Sequence, residues 1–523
     1  MVGNNGLRPY YLFEGCGERF AFHLGTQRFI QLTPLAYAYL ELRLSMPHRA
    51  ALDALRRQNG HSEEELGLLG KEFAAVAGED FFSVPDYRIP GEELERQLVQ
   101  RYAVLWTRLE LALAETCNLA CKYCYCSSCR DMENQGLMSE VVARKAIDWL
   151  FMKSGNAKEL GITLFGGEPL LNRDVFQFVM EYSDARAKET HKTIRYTMTT
   201  NGTLLDDMAI HYIKKHNFGL MVSLDGPPEI HDAQCPFRDG RGSFDAAAAG
   251  IKRLMKRRKR VTVRCTMSNR RPRMVDLIRF FEEFGFSRIV LGRVVSPVRP
   301  TPLDCTEDTL AEFSRQEETE VLEWIFDEFK AGRKPKYFPY DTFIRERAKP
   351  REGEQPGLSI FRCGACRGTM TVGADGRLYP CHRYVGMQQF VIGDIDTGPD
   401  IEKAKDYWRR YYHAIRSRCE SCWARTLCEG PCPWEISSAD GEFVNPHRHC
   451  AYTYRYYHRA AYVHYRLQRE LPEIYSRHFG QETTPAQGRD SEENNAAAGR
   501  ADLRAASSGS QRAATAAGRS KEP

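Results

Sequence analysis

Apolar and polar residues alternate with period two near the start of the chain. Phe20, Phe22 and Leu24 precede a Gly25-Thr26-Gln27 turn, and Ile30 and Leu32 follow it, which predicts a β-hairpin. Helical signals come next: Thr33-Pro34 places Pro just inside a cap residue, and Ser62 with Glu65 makes a capping box ahead of Leu66, Leu69 and Phe73. A further apolar stretch, Phe81 to Val84, reads as a strand. From Leu109 to Arg293 short apolar strands alternate with helix-length segments such as Ser139–Lys153 and Ser243–Met255. The predicted strands are Leu109–Leu113, Leu160–Phe165, Thr193–Thr199, Gly219–Leu224, Val261–Met267 and Ile289–Arg293. This order predicts βα units, a parallel sheet and an incomplete barrel, with functional residues at the strand ends.

From about Phe361 to Leu471 the chain is Cys-rich and Gly-punctuated, with too few long apolar periods for a conventional core, so metal is expected to hold it together. Beyond about Gln481 it turns to Ala, Gly, Ser, Arg and Glu without aromatics, the composition of a disordered tail. The expected fold is α/β: a partial (β/α)6 TIM-like barrel over 101–300, a small winged-helix-like domain over 1–100, a helical bridge over 301–360, a Cys-rich domain over 361–475, and the tail over 481–523.

Composition narrows the class. In 523 residues, 74 Lys and Arg against 69 Asp and Glu leave a net charge of +5, too little to argue for nucleic acid or membrane as partner. The densest basic run, Lys252–Arg260, closes a barrel helix and is read as a solvated face. No apolar run approaches a membrane span and Met1–Gly15 lacks the apolar core of a secretory signal, so a cytoplasmic location is expected. The 17 cysteines, an odd number, then point to metal or redox sites rather than a disulfide framework.

Directly after the first barrel strand stands Cys117-Asn-Leu-Ala-Cys121-Lys-Tyr-Cys124. Three thiolates on one tight loop suit three irons of a four-iron cluster and leave the fourth iron open to a ligand. A zinc knuckle is the competing reading, and Cys126 or Cys129 could complete it. The following strands end in Gly166-Gly167-Glu168-Pro169, Thr199-Thr200-Asn201-Gly202 and Ser223-Leu224-Asp225-Gly226-Pro227. Glycines let a ligand approach the backbone, and a carboxylate offers an acceptor to an ammonium group.

Together these motifs resemble the radical S-adenosylmethionine superfamily, with Tyr123 as the aromatic residue before the last Cys. The resemblance implies that Cys117, Cys121 and Cys124 bind a 4Fe-4S cluster whose open iron chelates S-adenosyl-L-methionine. It implies that Gly166, Gly167 and Glu168 contact the methionyl ammonium, Tyr123 lies near the adenine, and Asn201, Ser223 and Asp225 line the ribose and carboxylate side. Farther on, Cys419, Cys422, Cys428 and Cys432 precede Cys450, while Cys363 and Cys366 precede Gly376 and Cys381. This resembles the SPASM extension of the same superfamily. By that pattern Cys363, Cys366, Cys381 and Cys432 bind one auxiliary 4Fe-4S cluster, and Cys419, Cys422, Cys428 and Cys450 a second; the same thiolates alone could form zinc ribbons. Of the remaining cysteines, Cys16, Cys265 and Cys305 read as small buried hydrophobes, Cys126 and Cys129 as thiols near the substrate or exchangeable ligands, and Cys235 is left without a role.

Within SPASM proteins the resemblance implies an oxidoreductase that forms a deoxyadenosyl radical and modifies a peptide. Anaerobic sulfatase maturases typically place an Asp base after the Cys matching Cys381. Here His382 stands there, as in maturases of ribosomally made peptides, and is the catalytic candidate. The hairpin-then-helices order of the first domain resembles leader-peptide recognition elements. The expected function is thioether formation between a Cys sulfur and a carbon of a precursor peptide. The alternatives are formylglycine formation on a sulfatase, or epimerisation or carbon–carbon cross-linking of a peptide. The expected partners are the precursor, bound through its leader, and a reducing donor such as flavodoxin or ferredoxin.

Overall fold

The computed structural model describes residues 7–58, 61–76, 84, 86–126, 136–270, 272–298, 300–348, 363–428, 430–444 and 446–480. The expected strand at Phe81–Val84, apart from Val84, and the expected tail lie outside these residues.

The barrel strands are β4 (Arg108–Ala114), β5 (Glu159–Gly166), β6 (Thr193–Thr200), β7 (Gly219–Ser223), β8 (Thr262–Met267) and β9 (Arg288–Arg293), each end within one residue of expectation. All five pairings between them are parallel and sequential. Their buried alternate residues, Leu109, Leu111 and Leu113 in β4 or Ile162 and Leu164 in β5, pack against crossover helices such as Glu140–Lys153 and Arg173–Thr190. Burial of that stripe is the main stabilising term.

The sheet does not stop at β4. β10 (Thr369–Val372) pairs with it in parallel, and β11 (Arg377–Tyr379), β12 (Gly393–Asp394) and β13 (Gly398–Pro399) extend it antiparallel, giving a mixed ten-stranded sheet. The Cys-rich region is therefore built onto the barrel edge. It also has a core of its own, contrary to the expectation above. Tyr407, Trp408, Tyr411 and Tyr412 on the Ile401–Cys419 helix pack with Tyr384, Phe390 and Trp434. Leu94 and Leu98 of the Gly91–Tyr102 helix join them, and Arg409 pairs with Glu95 at 2.8 Å. The expected boundary at residue 100 thus falls inside a helix packed on the Cys-rich region.

The predicted hairpin is β2 (Glu18–His23) and β3 (Arg28–Leu32), and β1 (Tyr10–Gly15) adds an unpredicted third antiparallel strand. The alternation works on both faces. Ala21 with Tyr10 faces Tyr39, Leu40, Leu55, Leu66 and Leu69 of the following helices, while Phe20 and Phe22 face the C-terminal region. There Phe13 stacks on His458 at 4.1 Å and Tyr11 on Trp423 at 4.1 Å. Both predicted caps form: Ala36 N donates to Thr33 Oγ1, and Ser62 and Glu65 exchange backbone-to-side-chain bonds of 2.8 and 3.2 Å. Among the described residues no helix is long and apolar enough to cross a membrane.

The bridge carries a buried ion pair. A π-helical turn, Glu317–Val321, presents Glu317 to Arg459 of the His447–Glu470 helix, with side-chain exposures of 7 % and 1 %. Arg459 also donates to Ser314 Oγ at 2.7 Å, and Tyr337 donates to Glu317 at 3.2 Å. Arg459→Met leaves a buried carboxylate without its counter-charge and should cost about 3–5 kcal/mol, whereas the double variant Arg459→Met/Glu317→Leu should cost much less. Urea unfolding under anaerobic conditions measures both; equal losses would contradict this account.

Candidate active site

The three-Cys loop leaves the end of β4 and is tied down on two sides. Ala120 N and Lys122 N donate to the carbonyls of Pro236 and Gln234, and Gly167 N and Glu168 N donate back to those of Ala114 and Thr116. The two strand ends come so close that a Cβ at Gly166 would lie 2.4 Å from Ala114 O, at φ +156°. Gly166 is therefore required by the backbone approach itself. Cys117, Cys121 and Cys124 are free thiols; Leu119 N at 3.4 Å and Asn201 Nδ2 at 3.8 Å point donors at the Cys117 sulfur, which itself lies 3.8 Å from Asn118 Oδ1 as acceptor.

Glu168 is wholly buried. One oxygen accepts from Leu170 N (3.1 Å) and Thr200 Oγ1 (2.8 Å), the other from Asn201 N (2.8 Å). Asn201 in turn donates to Asn118 Oδ1 at 2.9 Å. One carboxylate thus gathers the ends of β5 and β6 under the Cys loop. Tyr123 and Asp225 are likewise joined: the Tyr123 hydroxyl donates to Asp225 Oδ2 at 2.5 Å, and Thr266 N holds the other oxygen at 2.9 Å. Asp225 N donates to His231 Nδ1, whose ring is buried and held below its ordinary pKa by that burial. Ser223 is half-buried at the end of β7, and its hydroxyl makes no hydrogen bond among the described residues. Cys235 stands beside this group, its sulfur 3.3 Å from Tyr123 Oη and hydrogen-bonded to Cys121. Cys126 is disulfide-bonded, and Cys129 lies outside the described residues.

His382 follows Cys381 and turns Nδ1 to Glu110 Oε2 at 3.3 Å, with its ring 4.6 Å from that of Phe165. Burial opposes charge on His382, but the Cys381 sulfur and the Glu110 carboxylate raise its pKa well above the ordinary value. Glu110 was not anticipated. It is the one charged residue in Leu109-Glu-Leu-Ala-Leu-Ala, set inward by the strand alternation, and Thr371 Oγ1 also donates to it at 2.6 Å.

The other eight candidate ligand cysteines lie in the Cys-rich region. Cys363, Cys366, Cys381 and Cys432 are electrostatic neighbours. Cys419, Cys422, Cys428 and Cys450 line a single cavity. All eight are free thiols. Burial pushes Cys419 and Cys432 up to about 12 and Cys422 up to about 11, so apart from metal they are neutral. As at Cys117, an amide two residues on points at a sulfur of each set: Ala365 N at 3.5 Å from Cys363, and Ala424 N at Cys422. Buried Arg101 donates to the carbonyls of Cys363 and Ala365 at 2.5 and 2.8 Å and stacks on Trp408 at 4.2 Å, clamping that loop. Among the described residues no three His, Cys, Asp or Glu side chains converge as ligands of a single ion. All-thiol sets with an amide donor at one sulfur of each have the donor chemistry that would suit iron–sulfur clusters, and the strand-end loops around the first set would suit S-adenosylmethionine.

Comparison with known proteins agrees with this chemistry. Residues 111–280 match the family model described as the Radical SAM superfamily. The chain is 28 % identical over 382 residues to a serine-type anaerobic sulfatase-maturating enzyme of Bacteroides thetaiotaomicron, covering 68 % of this chain and 89 % of that one. It is 24 % identical over 338 residues to a cysteine-type anaerobic sulfatase-maturating enzyme of Clostridium perfringens, covering 60 % and 85 %. A solved structure, native anSMEcpe with bound AdoMet and Cp18Cys peptide, superposes with a TM-score of 0.56 at 18 % identity over 71 % of this chain and 98 % of that one, a likeness of fold.

Glu168 supplies a pH test of the site's scaffold. Burial pushes its carboxyl from 4.5 up to about 7, against the pull of its three donors. Because the folded value is the higher one, its contribution to stability is fully present below the unfolded pKa and is lost as pH rises through about 7, on the order of 3 kcal/mol in all. Glu168→Gln should flatten the fall in unfolding free energy between about pH 5 and pH 8. Urea titrations of both proteins check this, and parallel pH profiles would contradict it.

Proposed function

Because the chain is a radical SAM enzyme, we propose that it is a maturase that modifies a ribosomally made peptide and joins a Cys sulfur to a carbon of that peptide. Cys117, Cys121 and Cys124 hold the catalytic cluster, and the sets around Cys381 and Cys450 hold two auxiliary clusters. The backbone of Gly166, Gly167 and Glu168 receives the methionyl ammonium, with Asn201, Ser223 and Asp225 on the ribose and carboxylate side. When bound, these groups supply a radical that removes a hydrogen atom from carbon, and an acceptor for the second electron. The chain's own part is proton handling and positioning. Glu110 orients His382 through Nδ1 and, with Cys381, favours the charged ring, so Nε2 carries a proton that His382 can donate. Tyr123 is held against Asp225 and so keeps one face toward the Cys loop.

The observation that carries the peptide reading is the three-stranded sheet, in which, among the described residues, β3 is paired only with β2. The Tyr465 hydroxyl donates to the carbonyl of Phe29, so that carbonyl turns away from β2. That position is taken by Tyr465, but with period two Gln31 also turns its backbone groups away from β2, and there a leader adds as a further strand. The similarity to sulfatase-maturating enzymes favours a second reading, formylglycine formation on a Cys or Ser of a sulfatase.

Removing residues 1–100 would strip Leu94 and Leu98 from the Cys-rich core, so a point change is the better test. Gln31→Pro removes the outward N–H of an edge strand, where Pro is tolerated. It should weaken leader binding by about tenfold or more, read by fluorescence anisotropy, while iron content and slow deoxyadenosine release stay at wild-type levels. Wild-type protein co-expressed with its precursor should yield a product lighter by about two hydrogens per cross-link. Unchanged leader affinity, or conversion of a sulfatase Cys or Ser by the intact protein, would replace this reading with the second one.

A further inference from the structure

Cys235 has no part in the scheme above, yet the backbone sets it against one of the three cysteines. The Cys loop and the segment that ends the Pro228–Gln234 helix run antiparallel. Ala120 N donates to Pro236 O at 2.8 Å, Lys122 N to Gln234 O at 2.9 Å and Arg238 N to Asn118 O at 3.3 Å, with Leu119 bridged to Phe237. In this register Cys121 stands directly opposite Cys235. The two form a pair without hydrogen bonds of its own, flanked by two pairs that have them. Antiparallel backbones approach most closely at such a pair, to a Cα separation of about 4.5 Å, and send both side chains to one face. A disulfide accepts Cα separations of about 4.4–6.8 Å, so this pair can close where it stands.

Protein groups hold Cys235 in place. Its N–H donates to His231 O at 2.7 Å, and its carbonyl accepts from Ser243 Oγ. Its sulfur lies 3.3 Å from Tyr123 Oη and 3.6 Å from Asp225 Oδ2, and is hydrogen-bonded to Cys121. Cys235 is buried whereas Cys121 is half-buried, so a reagent from solution meets Cys121 first.

We propose that Cys121 and Cys235 are a redox pair, closing into a disulfide when the catalytic cluster is lost and holding that ligand in a form that thiols restore. The inference rests on Cys121 being an iron ligand and is independent of which peptide bond the enzyme makes. The oxidant is a low-molecular-weight disulfide such as oxidised glutathione. The Cys121 sulfur attacks it, forming a mixed disulfide and releasing one glutathione; the Cys235 sulfur then attacks the Cys121 sulfur and releases the second. The two protein thiols lose two electrons and two protons, and the small disulfide gains both to become two thiols.

The test treats three full-length proteins anaerobically with oxidised glutathione, alkylates them and maps disulfides by mass spectrometry of unreduced tryptic peptides. The first is the reconstituted wild type, in which iron occupies Cys121. The second is reconstituted Cys117→Ala/Cys124→Ala, which should keep about two-thirds of the iron in the auxiliary sets. The third adds Cys235→Ser to the second. The Cys121–Cys235 crosslink should form in more than about half of the chains of the second protein, be reversed by dithiothreitol, and form in under about a tenth of the loaded wild type. Wild type stripped of iron by a chelator should give the same crosslink, an arm that needs no variant and in which Cys117 and Cys124 compete. In the third protein Cys121 should retain a glutathione adduct, because the thiol that displaces it is gone. Free Cys235 beside a glutathione adduct at Cys121 in the second protein, or a Cys121–Cys124 disulfide in its place in the stripped wild type, overturns the proposal. An equal crosslink in the loaded wild type, with its iron unchanged, overturns instead the assignment of Cys121 as a ligand, and the proposal with it.

Discussion

The carboxylate of Glu168 is the constraint on which the site depends. Three strands of a parallel sheet end at the same level, but nothing in a βα repeat draws their loops together. Here one buried side chain accepts from Leu170, Thr200 and Asn201, while the amides of Gly167 and Glu168 reach back to β4. Asn201 then reaches Asn118 and Cys117 in the Cys loop. The strand ends, the glycine turn and the thiols thus form one unit. Such a unit holds geometry with little reorganisation, which radical chemistry needs if a reactive carbon centre is to meet only its intended partner.

The Cys-rich region follows a second principle. It is joined to the barrel through backbone pairing of β10 with β4 and through the clamp that Arg101 places on Cys363 and Ala365. Its aromatic core, shared with Leu94 and Leu98, packs beside the cysteines. The recurrent amide donor at Cys117, Cys363 and Cys422 offsets part of the burial that otherwise keeps these thiols protonated.

The sequence was most legible where pattern and chemistry coincide. The six barrel strands have clear period and length, and Cys117–Cys124 and Gly166–Pro169 sit at their ends, so fold and site emerge together. Short pairings were not legible: β12 and β13 have two residues each and exist only because β11 offers an edge. Contacts over long separations were hidden for the same reason, Arg101 to Cys363 and Glu110 to His382 above all. The alternation around Glu110 does mark an inward carboxylate, but its partner becomes visible only when β10 is laid against β4. The aromatic core was missed because Tyr and Trp at helical spacing around Trp408 are interleaved with Arg and Lys, which lower the apolar count without preventing burial of one face.

The central claim is that three separate thiol sets each hold a four-iron cluster. Iron and zinc analysis with Mössbauer spectroscopy of the anaerobically reconstituted protein tests it most directly. The account predicts about twelve irons per chain, and loss of about a third of them, with the other two-thirds spectroscopically unchanged, when Cys117, Cys121 and Cys124 are together replaced by Ala. Stoichiometric zinc without iron, or complete loss of iron on removing the first set alone, would contradict it.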